Sequence, residues 1–353
     1  MPHLQTHHVP SPSLAEEALN YLRTQPNAAP ETHPAWLTAL RQGLGHTPIL
    51  LTARPTPTAN LTGLLPLAWV RSRLFGRFLV SLPYLNRAGV IAADPDTAHA
   101  LISHAAKLAR DGRADYLELR HAQQPIPHDD LTETRADKPR LLLELPDTTE
   151  ALWDGFKAKV RNQIRKAERF NPQLTFARHE NLDAFYDIFA TTMRDLGTPV
   201  YPKRFFAAIL QNLPEHAEIA LLTINQTPAA AALLVHDPVH HQTTQVPSAA
   251  CLRSANPMNA NMALYHGLLN RAIQRGAARF DFGRSSPNAG TYRFKTQWGA
   301  QPEPTYWQQF PLHGSTHAAR PDNPRYRKRI ETWQKLPVWL TRIIGPPIVR
   351  GIP

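Results

Sequence analysis

The sequence predicts an α/β protein of two tandem domains, each with a mixed, mostly antiparallel sheet flanked by helices. Its 353 residues are enough for two domains of ordinary size, and the 42% hydrophobic content allows each domain to bury a core. Thirty-four prolines break the chain into short elements, which argues against a long-helix architecture. Finally, β-prone runs and amphipathic segments alternate in the same order twice, which favours two copies of one α/β unit.

The first domain is predicted over residues 1–140. A short helix should begin at Ser13, which has capping-box spacing to Glu16. A longer helix is predicted over 95–111, followed by the polar, proline-containing stretch 121–139, which is expected to be a linker or long loop. Apolar, β-prone runs separated by turn residues predict antiparallel strands at 48–53, 61–70 and 77–82, and the next strand is predicted at 114–119.

The second domain is predicted over 141–312, followed by a basic amphipathic tail at 313–353. Its first helix, at about 149–169 and capped by Asp147, should bury one apolar face. The opposite face of this helix is basic and carries Lys157, Lys159, Arg161, Arg165, Lys166 and Arg169. Further helices are predicted at 181–195, at 203–212, and from Asn256 to Gly276. Strands are predicted at 141–144, 218–224, 229–236, 241–249 and 278–282.

Two short segments of the chain repeat each other. Residues 112–120 (GRADYLELR) and 276–284 (GAARFDFGR) share a glycine, an alanine, an aromatic residue and an arginine in register. Each segment ends an amphipathic helix with its glycine and then forms a strand, and each helix follows antiparallel strands. The second copy carries the extra polar residues Asp281 and Arg284, so it is the better candidate for chemistry.

The charge of the chain points to a polyanionic partner. The formal net charge is +11 and the pI is about 10.0, which suits nucleic acid, anionic lipid or a phosphate-bearing substrate. Cys251 is the one cysteine, which fits a reducing compartment and excludes an internal disulfide. The polar residues 1–12 lack the apolar core of a signal peptide, and no apolar run is long enough to predict a transmembrane helix.

The most informative stretch is 280–299, which reads FDFGRSSPNAGTYRFKTQWG. The run FDFGRS followed closely by FKxxWG resembles the FemAB-related acyltransferases, in particular those associated with the exosortase/PEP-CTERM system of Gram-negative bacteria. The resemblance extends from about residue 50 to the end of the chain. Three further stretches agree with it: RNQIRKAER at 161–169, LGTPVYPKRFF at 196–206 and WQKLPVWLTRIIGPPIVRGIP at 333–353.

This resemblance implies two GNAT-like (acyl-CoA N-acyltransferase) domains and direct transfer of an acyl or aminoacyl group to an amine, without a metal. Better-known members of the family use aminoacyl-tRNA and a lipid-linked peptidoglycan precursor, and the exosortase-associated branch is linked to exopolysaccharide or cell-envelope pathways. Acetyl-CoA enzymes of the superfamily open their pyrophosphate-binding helix with a glycine-containing loop, whereas residues 254–260 contain no glycine. Acyl-CoA, acyl carrier protein and aminoacyl-tRNA therefore stay open as donors, and no tightly bound cofactor is expected.

Acyl transfer to an amine requires removal of a proton, stabilisation of an oxyanion and alignment of two substrates. Strand alternation places Asp281 opposite the rings of Phe280 and Phe282. Its carboxylate is a candidate base or acceptor-orienting group, and the alternative is a structural ion pair with Arg279 or Arg284.

Two further candidates for catalysis follow the same strand. Lys295 is a candidate to stabilise the oxyanion or a donor phosphate, with a solvated lysine as the alternative. Tyr292 is a candidate proton relay or a packed ring.

Five residues are candidates for binding the substrate or the donor. Arg284 suits bidentate binding of phosphate or carboxylate, and the alternative is a salt bridge. Arg161 and Lys166, on the basic helix face, are candidates for tRNA or a diphosphate lipid carrier, and the alternative is a solvated face. Tyr201 either lines an acceptor groove or stabilises a turn, and Asn256 lies where backbone amides at a helix start could bind an anion.

A metal site is not expected, because the adjacent pairs His7–His8 and His240–His241 lack ligand spacing. Cys251 is expected to be a buried thiol rather than a nucleophile, since no local motif places a histidine to activate it.

The tail suggests a membrane surface. Residues 320–353 contain eight lysines or arginines and two acids among tryptophan and aliphatic residues. This composition predicts an interfacial anchor on anionic lipid, with packing on its own domain as the alternative. The predicted location is cytoplasmic and peripheral to the inner membrane. A non-catalytic scaffold at the membrane is the main alternative function, and general RNA binding is weaker because no nucleic-acid-binding motif is present.

Overall fold

The computed structural model describes residues 2–313 and 327–353. These residues divide into two compact units. Unit 1 comprises residues 2–136, 304–313 and 347–353, and unit 2 comprises residues 137–303 and 327–346. The predicted boundary lies at 140, whereas the first segment of unit 1 ends at Ala136, and residues 304–312 of the predicted second domain fall in unit 1.

The secondary structure alternates short strands with helices. The strands are β1 (His3–His7), β2 (Thr47–Arg54), β3 (Gly63–Ser72), β4 (Gly76–Val80), β5 (Ile91–Ala92), β6 (Tyr116–His121), β7 (Glu133–Arg135), β8 (Arg140–Glu144), β9 (Gln173–Ala177), β10 (Ala217–Ile224), β11 (Thr227–His236), β12 (Thr243–Cys251), β13 (Arg279–Arg284), β14 (Gln301–Glu303) and β15 (Tyr306–Pro311). The helices are α1 (Pro12–Arg23), α2 (Ala35–Leu44), α3 (Pro95–Asp111), α4 (Thr149–Gly155), α5 (Ala158–Glu168), α6 (Leu182–Leu196), α7 (Lys203–Asn212), α8 (Ala260–Gln274), α9 (Gly290–Thr296), α10 (Arg327–Gln334) and α11 (Val338–Val349).

Unit 1 is built on a sheet of order β1-β2-β3-β4-β6-β15-β7, with β5 paired to β3. Only β4 and β6 are parallel neighbours among these described pairs. Helix α3 crosses between them and buries its apolar face against β2 and β3. Asp94 caps α3 by accepting the Thr97 N–H, as its extended backbone and short carboxylate allow.

Unit 2 is built on a sheet of order β14-β8-β13-β12-β11-β10-β9. Its one described parallel pair is β12 and β13, joined by helix α8. The apolar faces of α4, α5 and α8 share one core cluster with the sheet. The strand–helix–parallel strand order β4-α3-β6 of unit 1 thus recurs as β12-α8-β13, which confirms the fold of two tandem α/β units.

Several element boundaries differ from the predictions. The helix predicted over 149–169 is two helices, because Phe156 and Lys157 take extended backbone angles between α4 and α5. Thr148, not Asp147, caps α4 by accepting the Ala151 N–H. Ser11 rather than Ser13 caps the first helix.

Two other predicted boundaries were displaced. Helix α8 begins at Ala260, after a 3-10 turn at Arg253–Met258, rather than at Asn256. The predicted loop 121–139 contains strand β7, which pairs with β15.

The tail packs partly on its own unit. Of the predicted anchor 320–353, residues 320–326 lie outside the described residues. In unit 2, Arg342 pairs with Asp187 at 2.7 Å, and Gly345 lies so close to Val200 that a Cβ would meet its backbone nitrogen at 2.9 Å. Trp339 and Ile343, four residues apart on α11, remain 64% and 63% exposed. No helix of the described residues combines the length and hydrophobicity that crossing a bilayer requires.

Candidate functional site

The candidate site of unit 2 forms where β12 and β13 separate. These parallel strands pair at three positions only: Thr243 with Arg279, Thr244 with Phe280, and Gln245 with Asp281. Beyond Gln245, β12 continues to Cys251 and pairs on its other side with β11. The β13-facing edge of residues 246–251 therefore lacks a described ladder partner, so its backbone groups face the opening between the strands.

Asp281 lies at the point of separation and is held from two sides. Its Oδ2 accepts from Arg140 Nη1 at 3.3 Å, and its Oδ1 accepts the Gly283 N–H at 2.8 Å. Asp281 and Arg140 are 4% and 8% exposed, so the pair is buried, and Arg140 also contacts Glu303. Asp281 is thus in a structural ion pair with Arg140 of β8, whereas the predicted alternative named Arg279 or Arg284 as the partner.

Lys295 holds the end of β13. Its Nζ donates to the carbonyl oxygens of Gly283 and Arg284 at 3.1 and 2.9 Å. Gly283 has a φ of 75°, a left-handed conformation that glycine adopts without steric cost, and the β13–β8 register shifts at this point. The alternative of a solvated lysine is wrong, because Lys295 of α9 is only 9% exposed.

Burial changes the acid–base character of Lys295. Desolvation lowers the pKa of its ammonium to about 8, and the nearby Asp281 carboxylate opposes this shift. A substantial fraction of Lys295 is therefore neutral amine near pH 8, which is the form that accepts a proton.

Aromatic rings line the α8 side of the same strand. Phe282 stacks on Tyr265 with ring centroids 5.6 Å apart, and Phe294 meets Tyr265 edge-on at 4.9 Å. Tyr292 packs against this core cluster, so the structure shows the packed ring of the two alternatives. Asp281 lies on the opposite face of β13, as strand alternation predicts.

The N-terminus of α8 has the features of an anion site. Its N-cap, Asn259, has a φ of 53° and makes no side-chain cap, and the first turn contains no acidic residue. Asn256 is exposed in the preceding turn, and Asn259 Nδ2 donates to Gln163 O of α5 at 3.3 Å. The uncapped N–H groups of α8 and the helix dipole both favour a negative charge here.

Helix α5 thus contacts the start of α8 through Gln163. Lys166 is exposed, and Arg161 is half-buried with Nη1 donating to Asp154 O at 3.1 Å. Arg165 lies over the Trp153 ring at 5.4 Å.

The side chains of two other predicted residues have contacts elsewhere. Arg284 is next to the site in sequence, but its Nε donates to Lys138 O at 2.9 Å. The Tyr201 ring is tilted against Phe205 with ring centroids 5.5 Å apart, within the aromatic cluster of α6 and α7. The turn-stabilising alternative thus describes the contacts of Tyr201.

Cys251 ends β12 beside the α8 N-terminus. Burial raises the pKa of its thiol to about 11, so the thiolate is scarce at neutral pH, and a role as nucleophile is disfavoured. Within residues 2–313 and 327–353, no group of three or more His, Cys, Asp or Glu side chains is placed to hold a metal ion.

Sequence reasoning missed Arg140, Glu303 and the open edge of β12. Arg140 precedes an apolar strand, where a charged residue normally marks a strand end, and its partners lie more than 140 positions away in the chain. Only the antiparallel pairing of β8 with β13 and β14 brings these residues together.

Comparison with known families identifies the domain. Residues 155–296 match the family model described as "Acetyltransferase (GNAT) domain". The match contains β12, α8, β13 and Lys295. Unit 2 carries an acyltransferase domain. A search of the curated proteins finds no match to this chain.

Solved structures share the fold over most of the chain. The crystal structure of FemX matches with a TM-score of 0.64 and 12% identity, covering 88% of this chain and 98% of that one. A structure described as the "C-terminal Domain (DUF2156) of Putative Lysylphosphatidylglycerol Synthetase from Agrobacterium fabrum" matches with a TM-score of 0.55 and 13% identity, covering 84% of this chain and 91% of that one. A tandem GNAT protein from the clavulanic acid biosynthesis pathway matches with a TM-score of 0.52 and 14% identity, covering 88% and 98%. Because the identities are this low, the matches show a common fold alone, here two tandem GNAT-like domains.

Proposed function

We propose that this protein transfers an acyl or aminoacyl group directly to an amine of a cell-envelope or exopolysaccharide precursor. The observation that carries the proposal is the opening between β12 and β13, together with a buried lysine of lowered pKa that is bonded to the end of β13. The open strand edge offers N–H groups to an oxyanion and the neutral lysine accepts a proton, which are two of the three requirements of acyl transfer to an amine.

Each step has a candidate group in unit 2. The acceptor amine attacks the acyl carbonyl carbon, and backbone N–H groups on the open edge of residues 246–251 stabilise the oxyanion that forms. The neutral Lys295 amine takes the proton released from the attacking nitrogen. Collapse of the tetrahedral intermediate breaks the bond to the donor sulfur or oxygen, which leaves with the proton that Lys295 had accepted. Asp281 and Arg140 act as positioning residues for the β13 end.

The proposed donor carries phosphate. The N-terminus of α8 has no side-chain cap and contacts α5, the helix that carries Arg161 and Lys166, and the net charge of the chain is +11. Acyl-CoA, acyl carrier protein through its phosphopantetheine, and aminoacyl-tRNA all present phosphate. Residues 254–260 lack the glycine loop of acetyl-CoA enzymes, which favours the other donors over acetyl-CoA.

The proposed acceptor is met at an anionic membrane surface, on the cytoplasmic side of the inner membrane. One neighbour in fold is named for synthesis of a modified phospholipid, lysylphosphatidylglycerol. The exposed Trp339 and Ile343 form an apolar strip on α11, and Lys335 beside it is exposed. This combination suits the headgroup boundary of an anionic bilayer.

A donor and acceptor panel tests the proposal. The purified full chain is mixed with radiolabelled acetyl-CoA, a longer acyl-CoA, acyl carrier protein or aminoacyl-tRNA, and with an amino-sugar oligomer or phosphatidylethanolamine vesicles as amine acceptors. Thermal shift measures donor binding, and labelled product measures transfer. If the wild-type chain transfers the label from one donor and the Lys295→Met variant does not, the proposal is supported. Donor binding without transfer to either amine favours a non-catalytic scaffold at the membrane. If no donor binds, both the proposed donor site and the proposed enzymatic activity are contradicted.

A further inference from the structure

A groove on unit 1 is lined mainly by arginine and lies outside the acyl-transfer site. It has a volume of about 570 Å³ and lies between the β3–β4 turn and the turn from α3 into β6. Seven residues line it: Arg71, Ser72, Arg73, Gly76, Arg77, Arg113 and Asp115. Four guanidinium groups thus face a single carboxylate.

The hairpin register forces two of these charges together. Arg71 of β3 is the direct cross-strand partner of Arg77 of β4. Like charges at directly opposite positions on adjacent strands are destabilising. A bound anion between them would remove this repulsion.

The one acid of the groove is directed at the backbone. Asp115 Oδ2 accepts the Arg77 backbone N–H at 2.9 Å, and a Cβ on Gly76 would meet the same oxygen at 2.0 Å. Among the described residues, none of the four arginines forms a salt bridge with a carboxylate. Asp115 therefore shapes the turn instead of neutralising the groove.

The guanidinium groups are partly oriented already. Arg77 Nη1 donates to Gly112 O at 2.7 Å, and Arg71 lies over the Trp69 ring at 5.5 Å. Arg113 has a φ of 53°, a left-handed conformation that favours glycine or asparagine over arginine. Arg73 and Arg113 are exposed, so their guanidinium groups can close on a ligand from opposite turns.

We propose that this four-arginine groove binds a phosphate monoester or diphosphate group. Planar guanidinium forks match phosphate oxygens in pairs, which explains why arginine rather than lysine fills all four positions. The phosphate belongs either to a free small molecule or to a lipid headgroup. Leu74, 75% exposed at the tip of the same turn, would enter the acyl region of a bilayer in the second case.

Calorimetry with inorganic pyrophosphate on the full-length chain tests the groove. The variant Arg73→Ala/Arg113→Ala should bind pyrophosphate at least about tenfold more weakly, because two of the four charge-assisted contacts are lost. The matched control is Arg23→Ala/Arg41→Ala, which removes two exposed arginines of α1 and α2 elsewhere in unit 1. The Arg161→Ala/Lys166→Ala variant removes the donor-site cations and should leave groove binding unchanged.

Vesicle sedimentation separates the two sources of phosphate. Binding to phosphatidic acid vesicles but not phosphatidylcholine vesicles, lost in both the arginine variant and Leu74→Ser, assigns a lipid headgroup. Pyrophosphate binding with no vesicle dependence on Arg73, Arg113 or Leu74 assigns a free phosphate ligand. The proposal is overturned if the arginine variant binds each probe as tightly as the wild-type chain does. It is also overturned if the wild-type chain binds neither probe. The charge-conserving variant Arg73→Lys/Arg113→Lys provides the same comparison if the alanine variant does not fold.

Discussion

At the scale of single residues, the candidate site depends on charged side chains that hold one another and the backbone. Arg140, Asp281 and Lys295 are each less than a tenth exposed, and together they fix the end of β13. A buried ion pair costs desolvation, so such pairs persist where geometry is needed. Asp281 therefore holds the strand, whereas Lys295 has the pKa suited to proton transfer.

The pH dependence of Lys295 gives the first prediction. Its folded pKa of about 8 is below the ordinary value of 10.5, so the unfolded chain binds more protons between these two pH values. The free energy of unfolding should therefore rise as pH increases from about 8 to about 10.5, by up to about 3 kcal/mol. Urea unfolding across this range measures the slope, which Lys295→Met should remove and Lys159→Met, an exposed control, should keep.

The same group predicts the rate profile. Transfer should increase with pH and level off above about 8, where the amine is neutral, and Lys295→Met should lower kcat/KM by about 10²–10⁴-fold. A variant that keeps its fold and the wild-type profile would show that Lys295 is only a structural brace.

Asp281→Asn tests the positioning role. The amide can still accept the Gly283 N–H, but Arg140 loses its buried counter-charge, and we expect the free energy of unfolding to fall by about 3 kcal/mol. Denaturant unfolding measures this loss, and the exposed Asp154→Asn serves as control. The double variant Arg140→Met/Asp281→Asn should recover part of the loss, and no recovery would exclude coupling between the two residues.

At the scale of elements, capping residues and helical spacing predicted most helices, but tertiary contacts determine where the helices end. The α4–α5 break lies where Phe156 leaves the helix and enters the core cluster at 5% exposure. The tail behaves similarly, since Thr341 of α11 is 1% exposed whereas Trp339 and Ile343 point outward. One helix therefore serves both as packing element and as exposed apolar strip.

The α11 strip gives a prediction at this scale. Trp339→Ser/Ile343→Ser should reduce binding to phosphatidylglycerol vesicles at least about tenfold, because the apolar surface that would enter the bilayer is lost. The melting temperature should stay within about one degree, since both side chains are mostly exposed. Phe170→Ser, at an exposed apolar site elsewhere in unit 2, is the control. If the double variant binds the vesicles as well as the wild-type chain does, α11 is not the membrane-binding element.

At the scale of the whole molecule, one α/β unit occurs twice and its copies have diverged. Both copies keep a strand, a helix and a parallel strand, as the GRADYLELR and GAARFDFGR segments indicate. Strand β15, which follows the second copy in sequence, joins the sheet of unit 1. There Trp307 stacks on the Arg120 guanidinium at 3.8 Å, and Gln309 donates to Glu118.

This arrangement predicts where a substitution in β15 acts. Trp307→Ala should destabilise unit 1 by about 2 kcal/mol, because the ring covering Arg120 is lost. Hydrogen exchange should then accelerate in β6 and leave β10–β12 of unit 2 unchanged. Tyr306→Ala, on the other face of the same strand, is the control. Faster exchange confined to unit 2 would contradict the assignment of β15.

The sequence by itself determined the features that depend on neighbouring residues: the α/β class, most elements, the repeat and the segment that carries the site. Alternation, helical spacing, capping and turn residues all act over a few positions. The tertiary structure decided which residues face one another across long separations. It paired Asp281 with Arg140, buried Lys295, set Arg71 opposite Arg77 and moved β15 into the first sheet. Strand pairing and burial are non-local, so no local pattern carries them.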